Sequence, residues 1–162
     1  MIPSNNCYNL IKKYEGFSSK PYKCSAGVPT IGYGSTFYLN GNKVTMKDSP
    51  ISEEVALSIL FSVVEDFSKK VEKLLKVSVN QNQFDALVDF AYNLGIDNLQ
   101  KSTFLKLINN KDFVGASKQF KLWNKANGKA LNGLTKRRKE EEELFLSWKK
   151  LFINVLFLGV IM

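Results

Sequence analysis

The chain has no histidine. That removes the commonest metal ligand and the side chain best suited to shuttling protons near neutrality. Acid–base work therefore falls to Glu, Asp, Lys, Tyr or Cys, and neither a metal nor a cofactor is expected. There are only two cysteines, Cys7 and Cys24, too few for a disulfide framework and without zinc-ligand spacing. They point to a reducing compartment or at most one bridge. Negative charge is also short. Fifteen Asp and Glu stand against 23 Lys and Arg, for a net charge of +8. Such a surface draws anionic partners: nucleic acid, anionic lipid or anionic wall polymer. The basic residues are scattered rather than interleaved with aromatics, apart from TKRRK at 135–139, so nucleic acid is not expected as a partner.

Long apolar runs are missing, with one exception. The opening MIPSNNCYNLIKKYEG has none of the length a signal peptide needs. At the other end, LFINVLFLGVIM at 151–162 is apolar apart from Asn154 and Gly159. Twelve residues reach about 18 Å as a helix, short of the roughly 30 Å hydrocarbon core. The segment reads as a buried or membrane-surface tail, and membrane contact is expected only through it.

What remains suits one domain over 1–150, at 44% apolar content. Cys7, Leu10, Ile11 and Tyr14 recur at helical spacing, with Asn5 or Asn6 as cap and Gly16 as stop. Glu15 then stands at the C-terminal end of that helix, where the dipole disfavours an ionised carboxylate. From Lys20 to Val44 the texture predicts a small antiparallel sheet, with a hairpin at TFYL-NG-NKVTM. A long helix opens at Ser52 and carries Ala56, Ile59, Leu60, Val63, Phe67, Val71 and Leu74 on one face. Another follows Asn80, with Gln83 completing a capping box, Phe84, Leu87, Val88 and Ala91 as its face and Gly95 as its stop. Two shorter helices are expected near 102–109 and 112–123. A last one starts near Leu134 and carries Leu144, Phe145 and Trp148. The fold class is α+β, a small sheet lobe joined to a helical lobe by the long helix.

One stretch has a chemical pattern. In YEGFSSKPYKCSAGVPTIGYG, Glu15 is followed after eight residues by Cys24, then after five by Thr30. This spacing resembles the phage-type lysozymes, glycoside hydrolase family 24, whose active site reads Glu, eight residues, Asp or Cys, five residues, Thr. SEEVA, QNQFDALVDFAYNLG and LNGLTKRRKEEEELF are similar to further segments of that family in the same order, so the resemblance spans roughly 5–148. The tail departs from it.

The resemblance implies a two-lobed lysozyme-like monomer that cuts the β-1,4 bond between N-acetylmuramic acid and N-acetylglucosamine in bacterial peptidoglycan. It implies residence in a host cytoplasm until release to the wall. Glu15 would be the general acid, kept protonated by burial or by the helix end. Cys24 takes the Asp-or-Cys position. It could act as thiolate, helped by Lys20 and Lys23, or as a neutral thiol holding a water with Thr30. Either Arg137 or Arg138, with Arg137 preferred, would pair with Glu15. Gly32, Tyr33, Asn93 and Arg137 are the expected substrate-binding residues, with Tyr92 also aligned to the cleft. The family includes thiol-regulated members, so a Cys7–Cys24 bridge is a hypothesis beside the plainer reading of Cys7 as a core thiol. A thiol in place of a carboxylate also keeps open a catalytically inactive, peptidoglycan-binding homologue.

Overall fold

The computed structural model describes residues 1–24, 26–126 and 128–147. The apolar tail and Trp148 lie outside them. Helix α1 spans Asn5–Glu15. Its cap is Ser4 rather than Asn5 or Asn6, with the Ser4 hydroxyl accepting from the Asn6 N–H at 3.2 Å. Ser4 takes this place because it is itself anchored: its N–H and its hydroxyl both donate to the Asp85 carboxylate. Gly16, at φ +68°, ends the helix with its N–H on the Lys12 carbonyl, a backbone angle that favours glycine.

Strands β1 (Ser18–Lys23) and β2 (Pro29–Gly32) pair antiparallel, with Tyr22 opposite Thr30 and an irregularity between Ser18 and Tyr22. The sheet is smaller than the sequence suggested. Asn40-Gly41-Asn42 does turn, with the Asn42 N–H on Asn40 Oδ1, but its flanks make only the single bridge Phe37–Lys43. Phe37 and Leu39 are 48% and 61% exposed. An alternating strand with no layer to bury its apolar face is not stable alone.

Helix α2 (Glu53–Leu74) is capped by Ser52. Its buried stripe is Ala56, Ile59, Leu60, Val64, Ser68 and Val71, leaving Val63, Phe67 and Leu74 half-buried toward the cleft side and the helix end. Helix α3 (Gln81–Leu94) carries the full capping box and is buried continuously from Gln83 to Ala91, as a central helix must be. Helix α4 (Ile96–Lys101), unforeseen in the sequence, starts directly from Gly95. Helix α5 (Thr103–Asn109) follows Ser102. The expected helix over 112–123 is split into α6 (Phe113–Ser117) and a 3₁₀ turn at Phe120–Leu122. Val114, Gly115 and Ser117 are weak helix formers, which explains the early break. Short strands β3 (Lys125–Ala126) and β4 (Lys129–Ala130) form a minimal hairpin before α7 (Asn132–Phe145), which opens two residues earlier than expected. Phe90, Phe104, Phe120 and Phe145 meet edge-to-face or tilted at 4.5–6.0 Å and tie α3, α5, the 3₁₀ turn and α7 into one core.

Helix α7 opposes its own dipole. Its Lys and Arg residues, Lys136–Lys139, all precede Glu140–Glu143, and Leu131 gives no side-chain cap. Charges placed that way weaken an isolated helix. Tertiary contacts hold it instead, and those contacts build half of the site.

Candidate active site

Glu15 projects from the end of α1, with its side chain 22% exposed. Arg137 on α7 donates from Nη1 to Glu15 Oε1 at 2.7 Å. The same guanidinium is gripped from behind by Asp89 on α3. Arg137 Nε donates to Asp89 Oδ2 at 3.0 Å and Nη2 to Oδ1 at 2.8 Å. A forked pairing of this kind fixes the guanidinium plane as well as its charge. The Tyr14 ring lies beside it, 5.5 Å from the guanidinium carbon. Arg137 is 2% exposed and Asp89 fully buried. Behind them, Arg138 donates to Glu141 and lies over the Phe90 ring at 5.2 Å. Burial, then the neighbouring Asp89 carboxyl, pushes Glu141 well above the usual carboxylate range, with Arg138 and Arg137 opposing.

Gly34 closes the other side of Glu15. At φ +86°, it lies so near that an added Cβ would stand 3.0 Å from Glu15 Oε2. Beside it opens a hollow of about 510 Å³ lined by Gly34, Thr36, Phe37, Asp66, Phe67 and Tyr92 among others. It lies between the sheet lobe, α2 and α3. Tyr92 donates its hydroxyl to the Tyr33 carbonyl at 2.7 Å. Burial, then Glu15, raises its phenol above the ordinary value.

Cys24 sits on the turn between β1 and β2 and is partly exposed. The turn is closed by the Cys24 N–H on the Val28 carbonyl at 3.0 Å and the Gly27 N–H on the Cys24 carbonyl at 2.8 Å. The backbone N–H of Ala26, then that of Val28, hold the thiol's pKa below its ordinary value, with the Thr30 hydroxyl beside it. The sequence suggested Lys20 and Lys23 for that effect; the turn's own dipoles supply it instead. Thr30 is 2% exposed and donates to the Val28 carbonyl at 2.9 Å, which leaves its oxygen lone pairs for a water.

The structure thus joins Glu15 to Arg137 and Cys24 to Thr30. The other expected residues divide. Gly32 packs on α2, where a Cβ would meet that of Ala56 at 3.1 Å. Tyr33 is not an open sugar platform: it is 4% exposed and donates to Glu53 Oε1 at 2.6 Å, a bond that holds its phenol up at about 12. Both pin the sheet to the long helix. Asn93 keeps a buried Oδ1 with no partner among the described residues. Cys7 and Cys24 are both free, and Cys7 is fully buried, its thiol raised by burial. The bridge between them is absent. Sequence reasoning missed Asp89 and Glu141. The available signal for Asp89 was a carboxylate between Val88 and Phe90 on a helix too apolar to leave it solvated, since a buried charge needs a partner.

Among the described residues, no group of three or more His, Cys, Asp or Glu is placed to hold a metal ion, and no helix is long and apolar enough to cross a membrane.

The sequence profile described as "Phage lysozyme" matches residues 12–141. The chain is 46% identical over 139 residues to an endolysin of Bacillus phage B103, covering 86% of this chain and 52% of that protein. It is 37% identical over 144 residues to an endolysin of Salmonella phage P22, covering 89% and 97%. The chain therefore spans about half the length of the first relative and nearly all of the second. Among solved structures, an endolysin from Escherichia coli O157:H7 phage FAHEc1 superposes with a TM-score of 0.82 at 40% identity, covering 90% of this chain and 94% of that one.

Proposed function

The chain belongs to the phage lysozyme family, and from that premise we propose that it is a muramidase that hydrolyses the β-1,4 bond between N-acetylmuramic acid and N-acetylglucosamine in bacterial peptidoglycan. The observation that carries the reading is a partly exposed Glu15, held by Arg137 and abutting Gly34 at the edge of a hollow, in a chain that also sets a thiol of lowered pKa next to Thr30.

In this mechanism protonated Glu15 gives its proton to the glycosidic oxygen as the bond to the anomeric carbon breaks. The carboxylate left on Glu15 is met at once by Arg137, so the charge created is paired. On the turn, Cys24 and Thr30 serve the attacking water. A thiolate takes the water's proton, or a neutral thiol and the Thr30 oxygen position it. The net positive charge favours an anionic wall, and the hollow offers Tyr92, Asp66 and Lys70 to the sugar. The cellular role we propose is lysis of a bacterial host, with the protein held in the cytoplasm until another protein opens the membrane.

Clearing of a peptidoglycan suspension tests this. Glu15→Gln should lose activity by about 10²–10⁴-fold, the range for removing a general acid, while still sedimenting with the wall. Cys24→Asp should stay active, and Cys24→Ala should fall well below both wild type and Cys24→Asp. Cys24 also favours one other reading, a homologue that binds peptidoglycan without cutting it. Wild-type protein that sediments with the wall but never clears it would establish that reading.

A further inference from the structure

Two guanidiniums, Arg137 and Arg138, stand among three carboxyls, Asp89, Glu141 and Glu15. Four of the five side chains are 3% exposed or less, and only Glu15 reaches solvent, at 22%. Charges this well buried must balance closely. The four buried groups can balance as two guanidiniums and two carboxylates; Glu15 is a third carboxyl at the edge, and a proton on it or on Glu141 relieves the excess negative charge. The geometry narrows which. Asp89 has both oxygens occupied by Arg137. Glu141 uses Oε1 for Arg138 and stands 3.7 Å from Arg137 Nε, but its Oε2 is buried with no partner. Arg138 likewise keeps Nε and Nη1 unpartnered. A proton on Glu141 would let it donate to Asp89, and the burial that raises its pKa favours that form. The alternative is a proton on Glu15, with Glu141 ionised against Arg138. One proton thus has two homes, joined through Arg137.

We propose that Glu141 is a positioning residue for Glu15: by gaining or losing one proton at the buried end of the cluster, it sets through Arg137 whether Glu15 is held as an anion or left free to carry the proton that catalysis needs. This rests on the reading of Glu15 as the general acid. The other charged or titratable groups facing the cluster are few. From α3 come Asp85, committed to Ser4 and Gln81, and Tyr92, whose phenol donates to the Tyr33 carbonyl and is raised by burial and then by Glu15; from β1 comes Tyr22, its phenol also raised by burial and then by Glu15. From α1 come Cys7, whose thiol is raised by burial and by Asp89, and Tyr14. Glu140 is bound to Lys13 at the surface. None of these offers a second buried carboxyl with a free oxygen.

Glu141→Gln tests the coupling. It keeps the shape and fixes the neutral form, so two guanidiniums face Asp89 alone and Glu15 is needed as the anion. The high-pH limb of the clearing rate should move to lower pH by roughly one unit, the size expected for one charge a few ångströms away in a partly screened site. Arg138→Met removes a positive charge and should move the limb the opposite way. Glu143→Gln, with the same charge change on the exposed side of α7, should leave it in place. A limb that stays put in folded Glu141→Gln, or that moves the same way in both cluster variants, overturns the proposal. It is then the coupling that has failed if Glu15→Gln is inactive at every pH, and the reading of Glu15 itself if Glu15→Gln clears normally. Should the variants fail to fold, carboxyl-carbon NMR titration of the wild type decides the matter. Glu15 and Glu141 should share two inflections, as coupled sites do, and single independent steps overturn the coupling.

Discussion

Glu15 and Cys24 serve the same proposed bond but stand on different kinds of structure. Glu15 is held from behind by a buried relay that crosses three helices: Arg137 from α7, Asp89 from α3 and the end of α1 itself. Cys24 stands on an exposed turn held by two backbone hydrogen bonds and one hydroxyl. The acid's side is expensive to build, because every buried charge in it must find a partner. The thiol's side is cheap, and what it offers is a set of N–H dipoles aimed at sulfur. The chemistry explains the difference. The proposed acid creates a charge when it gives up its proton, and that charge needs a partner fixed in place. The opposite group has only to hold or activate a water, which tolerates exchange between a carboxylate and a thiol.

The largest effect that can break this contrast is on stability. Asp89→Ala leaves Arg137 buried without its forked partner and should cost about 3–5 kcal/mol in urea unfolding, while Cys24→Ala should leave the unfolding midpoint in place. Equal losses at the two positions would remove the distinction. A smaller effect is expected at Gly34. Gly34→Ala combines strain at φ +86° with a Cβ 3.0 Å from Glu15 Oε2. It should cost about 1–3 kcal/mol and slow clearing by about 10–100-fold, because a displaced acid loses its alignment. A variant of normal activity would show that the backbone does not set the acid's position. The smallest effect concerns the turn alone. A thiol of lowered pKa is ionised, and so reactive, at lower pH than an ordinary one. Alkylation of the native protein should therefore modify Cys24 with a midpoint below that of the same cysteine in the unfolded chain, leave Cys7 untouched, and keep the same midpoint in Lys20→Gln and Lys23→Gln. A midpoint that rises in the lysine variants would restore the lysines as the cause.

The same contrast governs what could be read from the sequence. The turn side is local: nine positions separate Glu15 from Cys24 and six more reach Thr30, so the candidates could be picked out by spacing once the downstream segments matched in the same order. The helices with strong caps, at Ser52 and Asn80, were legible for the same reason. The relay is not local. Asp89 and Arg137 are 48 positions apart, and neither residue type announces a partner at that distance. The burial of Tyr33 and its bond to Glu53 were not legible, because GYG reads the same whether its ring faces a cleft or Glu53. The hairpin at Asn40-Gly41 had the right turn chemistry but no layer to pack on, which only the three-dimensional arrangement reveals. Helix α7 was legible from Leu144, Phe145 and Trp148 near its end, and the buried Arg137, Arg138 and Glu141 account for its standing against its own dipole.

The most direct test of the central claim is the chemistry of the products. Purified peptidoglycan digested with wild-type protein and analysed by mass spectrometry should yield fragments with N-acetylmuramic acid at new reducing ends, and Glu15→Gln should yield none. Wild-type protein that binds the wall without producing new reducing ends, or that leaves them on N-acetylglucosamine, would contradict the account.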